Sequence, residues 1–219
     1  MTVGVSDWSP PAFPERRVLE GQWCRLEPLS ADRHTPDVWQ HMAGHDELWP
    51  YLFQAAPKTE REYHDILAAN ASRTDIVPYA IIDKADGAAK GHLMIMEIRP
   101  AHGVFEVGSI TYALAMQRTR MATEAIYLGG DYGFSQGSRR YEWKCNNLTE
   151  PSKRAALRFG FTYEGLFRQH MVVKGLNRDT AWYSMIDSEW PAIKARFEAW
   201  LRPENFNADG TQKTGLGEI

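Results

Sequence analysis

A single α/β domain built on a mixed, mostly antiparallel sheet flanked by helices is the fold that three features of this 219-residue sequence predict. Strand-like runs alternate with helical segments along the chain. One of those runs leads straight into a helix start at "MQRTRMATEA" (116–125), and that helix separates it from the next strand. The chain closes on two long strand-like runs around "KGLN" (174–177), a hairpin signal, followed by an amphipathic helix. No repeat, low-complexity tract or linker interrupts the pattern. The expected organisation is an extended arm over 1–20, one domain over 21–202 and a polar tail over 203–219.

Each element has a local reason. The proline-rich residues 1–20 read as an extended arm lying over the rest of the chain. "CRLEPL" (24–29) is a short strand. Asp32 stands in a capping position ahead of Val38, Trp39 and Met42, predicting a helix that ends near Gly44. "LWPYLF" (48–53) sets aromatics around a proline and reads as a loop. Thr59 with Glu62 three residues on is a capping-box pattern for a second helix through Ile66 and Leu67 to about Ser72. Strands follow at 79–83, 91–98 and 103–114, broken at Asp86-Gly87 and at 101–103. The helix after the third strand runs to about Gln136 and stops at a glycine followed by basic residues. "RYEWKC" (140–145) is a strand. A short helix spans Pro151 to Phe159 and is stopped by Gly160. The closing strands cover 161–174 and 179–188, and "SEWPAIKARFEAWL" (188–201) is the terminal helix.

Composition excludes several classes. A net charge of −3 lacks the basic field that broad nucleic-acid or membrane-surface binding needs. Cys24 and Cys145 are far apart and not in ligand-like spacing, which suits a reducing compartment better than a disulfide scaffold. The N-terminus has no apolar core of signal-peptide length and no run approaches a membrane span, so a cytoplasmic protein is expected. His41 and His45 share a helical face without a third ligand, and no metal site is expected.

The stretch 116–125 carries the first chemical signal. A helix N-terminus presents unpaired backbone N–H groups and the positive end of the helix dipole, and Arg118 and Arg120 add donors suited to phosphate oxygens. A solvated basic turn is the plain alternative. Glycine-rich GxGxxG and P-loop patterns are absent. Two further stretches stand out: "EPSKRAALRFGFTYEG" (150–165), a short helix ending in "GF", and the hairpin "RQHMVVKGLNRDTAWYSMIDSEW" (168–190).

Together these resemble the GNAT superfamily of N-acetyltransferases and, within it, the ribosomal-protein N-acetyltransferase (RimJ/RimL-like) branch. The family's acetyl-CoA motif, Q/R-x-x-G-x-G/A at a strand-to-helix junction, is matched by Gln117, Arg118, Thr119, Arg120, Met121 and Ala122, with Arg120 where glycine is usual. The resemblance covers roughly the last half of the chain and implies a GNAT fold that moves an acetyl group from acetyl-CoA to a primary amine, with no metal. It implies a coenzyme site of Tyr112, Leu114, Gln117 to Thr123, Asn147 and Ser152. It also places a general base at Glu106, eleven positions before Gln117, although an outward-facing strand acid explains Glu106 equally. Ser152 falls where the branch sets a serine beside the thiolate, and it is equally an ordinary helix-start residue. The tyrosine many members carry on this helix is replaced by Ala156. The asparagine before the helix is replaced by Thr149, with Asn146 and Asn147 nearby. A glutamate base of the branch falls at Met171, and His170 could take over that role if its side chain faces the cleft. Arg168, Asp179 and Tyr183 match the branch's hairpin, where a cross-strand ion pair between Arg168 and Asp179 is the simplest role. Trp39, Trp49 and Tyr51 read as core or lid. The expected partners are acetyl-CoA and an amine acceptor, which the acidic chain would favour as a cation. Neither nucleic acid nor membrane is expected, and a homodimer is compatible with the sequence. A GNAT fold that senses acyl-CoA without turnover is the alternative, favoured by Arg120 and Thr149.

Overall fold

The computed structural model describes residue 4 and residues 7–219. Five positions of the predicted arm (1–3, 5 and 6) lie outside the described residues. The strands are β1 (Leu19–Glu20), β2 (Cys24–Pro28), β3 (Val77–Asp83), β4 (Ala89–Arg99), β5 (Val104–Tyr112), β6 (Arg140–Asn146), β7 (Thr162–Val173) and β8 (Leu176–Ile186). The helices are α1 (Ala31–Met42), α2 (Glu60–Ser72), α3 (Arg120–Ser135), α4 (Glu150–Phe159) and α5 (Trp190–Leu201). The strands form one sheet in the order β1-β2-β3-β4-β5-β6-β8-β7. Only β5 and β6 pair in parallel, because α3 carries the chain back between them.

The two faces of the sheet are covered differently. Phe105 and Val107 of β5 pack with Ile126 of α3, Phe159 of α4 and Phe197 of α5 in one core. Ala80 and Ile82 of β3 pack with Val38 of α1 and with Tyr63 and Leu67 of α2 in a second core. Among the described residues no helix is long and apolar enough to cross a membrane.

Local differences from the sequence reading have physical reasons. Ser30, not Asp32, caps α1: its backbone is extended and its hydroxyl accepts the Arg33 N–H at 3.4 Å, which leaves Asp32 inside the first turn. Thr59 accepts the Glu62 N–H at 3.1 Å, while the Glu62 carboxylate takes the Lys58 N–H at 2.7 Å. β8 begins at Leu176 rather than at 179. Lys174 and Gly175 both adopt left-handed backbone, at φ 50° and 77°, and close a two-residue turn that lets both strands run up to it. The segment 203–219, read as a polar tail, lies against the domain. Phe206 and Leu216 are buried, and the Trp200 indole donates to Gln212 at 3.0 Å. The arm is also held down, by Tyr132 donating to the Glu15 carbonyl at 2.9 Å and by Arg16 donating to the Ala71 carbonyl at 2.7 Å.

Two features of the sheet create the site. Pairing between β5 and β6 ends at Glu106 opposite Glu142, although β5 continues to Tyr112 and β6 to Asn146. β5 is bent there by register shifts against β4 and by left-handed backbone at Ser109 (φ 49°). The strands therefore separate into a wedge. α3 lies close on β5 because a Cβ at Gly133 would stand 2.2 Å from the Phe105 ring, so only glycine permits the approach. That fit sets the start of α3 at the mouth of the wedge.

Candidate active site

The wedge opens into a cleft of about 2160 Å³. A single small-ligand site is typically about 300–1,000 Å³, so the cleft has room for two substrates. Its lining runs from the start of α3, past Glu106 and the β6 residues Trp143 to Asn146, to β8 and the 47–54 loop.

At the start of α3 the donors can be counted. Thr119 is the N-cap, its hydroxyl accepting the Ala122 N–H at 3.3 Å. The Thr119 and Thr123 N–H groups go to the carbonyls of Met116 and Thr119. Among the described residues the N–H groups of Arg118, Arg120 and Met121 have no partner, so the cradle expected over 118–123 narrows to three donors at the positive end of α3. Arg120 sits in the first helical turn without a positive φ, and keeps its N–H free despite occupying the usual glycine position. Its guanidinium, expected to serve as a donor to phosphate oxygens, lies 3.6 Å over the Trp23 ring. Arg118 is the residue with left-handed backbone (φ 62°), and its exposed side chain lines the cleft together with Gln117.

Of the other expected coenzyme residues, Tyr112 lines the cleft, while Leu114 and Asn147 do not. The Tyr112 hydroxyl donates to the Ala122 carbonyl at 3.1 Å, bracing α3 against β5. Leu114 is exposed on a 3-10 turn and does not line the cleft. Asn147 also lies off the cleft, its N–H bound to the Asp179 carbonyl, whereas Asn146 lines it.

Glu106 is buried on the cleft floor, 4% exposed, so it is not an outward-facing acid. Strand alternation sends Phe105 and Val107 into the α3 core and Glu106 to the other face. Burial pushes its carboxyl up to about 7, against the pull of Lys144, whose Nζ lies 2.8 Å from Oε2. The Lys144 ammonium is therefore the close partner of Oε2, and it favours the charged carboxylate against burial. A carboxyl poised near neutrality can take a proton at physiological pH.

Ser152, on the first turn of α4, accepts the Trp143 indole N–H at 3.1 Å. It stands beside Cys145, whose thiol burial pushes up while the Ser152 hydroxyl works in the opposite direction. Thr149 begins α4 without a side-chain cap bond. Ala156 is fully buried (0% exposed) in the core, so this helix has no room there for the missing tyrosine. His170, exposed at the cleft rim, lines the cleft beside a register shift between Phe167 and Met171, with Gln169 left-handed (φ 50°); its Nδ1 is 3.0 Å from Thr180 Oγ1. Asp179, expected to pair with Arg168, instead accepts the Gln169 N–H at 2.7 Å and the Asn177 amide at 3.0 Å. Tyr183 is buried against Tyr163. Trp49 joins the core and Tyr51 lines the cleft, while His41 faces Lys90 and His45 faces Glu47. Among the described residues no cluster of His, Cys, Asp or Glu is arranged to hold a metal ion.

Sequence reading missed Lys144, Arg178, Trp182 and Phe53, all of which line the cleft. A signal was present for two of them: Arg178, Thr180 and Trp182 alternate along β8 and so share one face.

The chain matches no protein-family model and no curated protein. Among solved structures, a GCN5-related N-acetyltransferase from Brucella melitensis is 46% identical over 98% of both chains, with a TM-score of 0.95. This chain belongs to the GNAT family of acetyltransferases. A probable GNAT-family acetyltransferase from Chromobacterium violaceum is 36% identical, covering 87% of this chain and 96% of its own, at a TM-score of 0.83. A ribosomal-protein-S5-alanine acetyltransferase from Vibrio fischeri is 16% identical over 80% of this chain and 98% of its own, at a TM-score of 0.64, which is a likeness of fold alone. The GNAT fold makes this chain a transferase of the acyl-transfer class, and GNAT acetyltransferases in general draw on acetyl-CoA.

Proposed function

We propose that the protein is an acetyl-CoA-dependent N-acetyltransferase acting on a primary amine. The observation that carries the reading is Glu106, buried on the cleft floor with its carboxyl near 7 beside the Lys144 ammonium, on the strand that leads to the free N–H groups of α3. Acetyl-CoA supplies an activated acyl group as a thioester. Arg118, Arg120 and Met121 hold its diphosphate through their N–H groups, with the Arg118 guanidinium in reach and the α3 dipole in support. Glu106 takes a proton from the incoming amine, and Lys144 keeps part of the Glu106 population ionised at neutral pH. Ser152, fixed by Trp143, donates its hydroxyl toward the departing sulfur. His170 stands at the acceptor end as a second proton acceptor.

Incubation of the protein with acetyl-CoA and a broad amine panel, read by thiol release, tests this. Turnover well above the coenzyme-only background is expected. Tight coenzyme binding without thiol release across the panel would replace this reading with a non-catalytic acyl-CoA sensor.

A further inference from the structure

Arg178 is a charge the acyl-transfer scheme does not use. It is 7% exposed, yet among the described residues it pairs with no carboxylate. Its Nε donates to Thr180 Oγ1 at 3.3 Å, and its guanidinium carbon lies 4.7 Å over the Phe53 ring. These two contacts fix the plane of the fork and leave both terminal nitrogens without a hydrogen-bond partner on the wall of the cleft. A largely buried guanidinium with no carboxylate in contact is a costly arrangement, and a planar fork is matched by a carboxylate. The same wall holds another unused donor, the buried indole N–H of Trp182.

The position separates this group from the coenzyme cradle. Arg178, Thr180 and Trp182 share the sheet face of Lys144, which pairs across the strands with Trp182 and contacts Glu106. Phe53 comes from the loop that precedes α2, and Lys174 at the hairpin tip ties that loop down by donating to the carbonyls of Trp49 (2.9 Å) and Gln54 (3.4 Å). The cradle, at the start of α3, belongs to the helix layer on the other face.

We infer that Arg178 is the receptor for an anionic group on the acceptor, so that the amine acetylated here belongs to a carboxylate-bearing molecule, an amino acid or short peptide, rather than to a simple alkylamine or polyamine. The inference rests on the amine-acetyltransferase reading: Glu106 receives the proton of the amine while Arg178 holds the carboxylate of the same molecule.

The test compares amino acids and short acidic peptides with the same molecules amidated at the carboxylate, by thiol release in wild type and in Arg178→Met. In wild type the free carboxylates are expected to lead in kcat/KM by on the order of 10²-fold, chiefly through KM. In Arg178→Met that ratio is expected to collapse toward one. Equal rates for both forms in wild type, or a ratio unchanged by the substitution, overturns the inference and leaves the acetyltransferase reading standing. Calorimetric titration of the same compounds into the protein with CoA bound gives a readout without turnover. Carboxylate-dependent binding that Arg178→Met abolishes, in a protein that turns over no amine, sustains the anion site and defeats the catalytic reading. Absence of carboxylate-dependent binding defeats the anion site. Should Arg178→Met fail to fold, Arg178→Lys keeps the charge without the fork and is expected to lose about 10-fold of the ratio.

Discussion

Glu106 joins activity to stability at the scale of one residue. Its carboxyl rises from an ordinary 4.5 to about 7 because burial disfavours the charged form. The native state therefore holds the proton more tightly than the unfolded chain, and stability falls as pH rises between those two values. Glu106→Gln lacks this loss. It is expected to gain on wild type through that window, by on the order of 3 kcal/mol above pH 7, as read from urea unfolding at pH values on either side of it. The same substitution should lower kcat at neutral pH by about 10²–10⁴, with coenzyme affinity nearly unchanged and a smaller deficit at high pH, where more amine is already neutral. Wild-type rates across pH would transfer the role to His170 or solvent. Ser152→Ala should slow the chemical step by less than this and also cost roughly 1–3 kcal/mol, because the Trp143 indole N–H loses its acceptor. A loss of stability with kcat unchanged would leave Ser152 a packing residue. The acid of Glu106 and the hydroxyl of Ser152 were legible in the sequence, but the side of the strand that Glu106 takes was not.

At the scale of elements, α3 shows what local sequence can and cannot say. Its opening was expected at Ala122–Thr123–Glu124 and lies two residues earlier, at Arg120 behind the Thr119 cap, while its end was legible from Gly137. The glycines within it weaken a helix by propensity and gave no sign of their purpose. In the structure Gly133 makes the close contact with Phe105 that holds the cradle at the wedge. Gly133→Ala should therefore destabilise the protein by about 1–3 kcal/mol despite alanine's better helix propensity, and should weaken the coenzyme as α3 shifts. Thermal unfolding with and without CoA checks both. A substitution that stabilises the fold would show that the helix is free to move away. Arg118 makes the opposite case. Arg118→Gly relieves a left-handed residue and should keep or improve stability while weakening CoA by about 10-fold through the lost guanidinium. Equal affinity in isothermal titration would remove that side chain from the site.

For the whole molecule, ligand linkage predicts that acetyl-CoA raises the unfolding temperature, since it binds the native state alone. Replacing both Arg118 and Arg120 with alanine should weaken CoA more than pantetheine; equal losses for both ligands would remove the phosphate cradle. The start of β2 and the last residues are joined to α3. Glu124 on α3 accepts the N–H groups of Gln22, Trp23 and Cys24 at 2.6–2.7 Å, and Trp23 then stacks with Arg120 and contacts Phe206. No local pattern in 203–219 showed that Phe206 and Leu216 would be buried, because single apolar residues in a polar stretch have no period. Apart from the two-residue β1, which fell inside the expected arm, element type and order were determined by the sequence itself, since periodicity, caps and turn residues act over a few neighbours. Tertiary structure alone decided which face Glu106 and Arg178 occupy and which partners they have or lack. Those depend on the register shifts that part β5 from β6 and on residues distant in sequence, Lys144 and Phe53, that the fold brings to them.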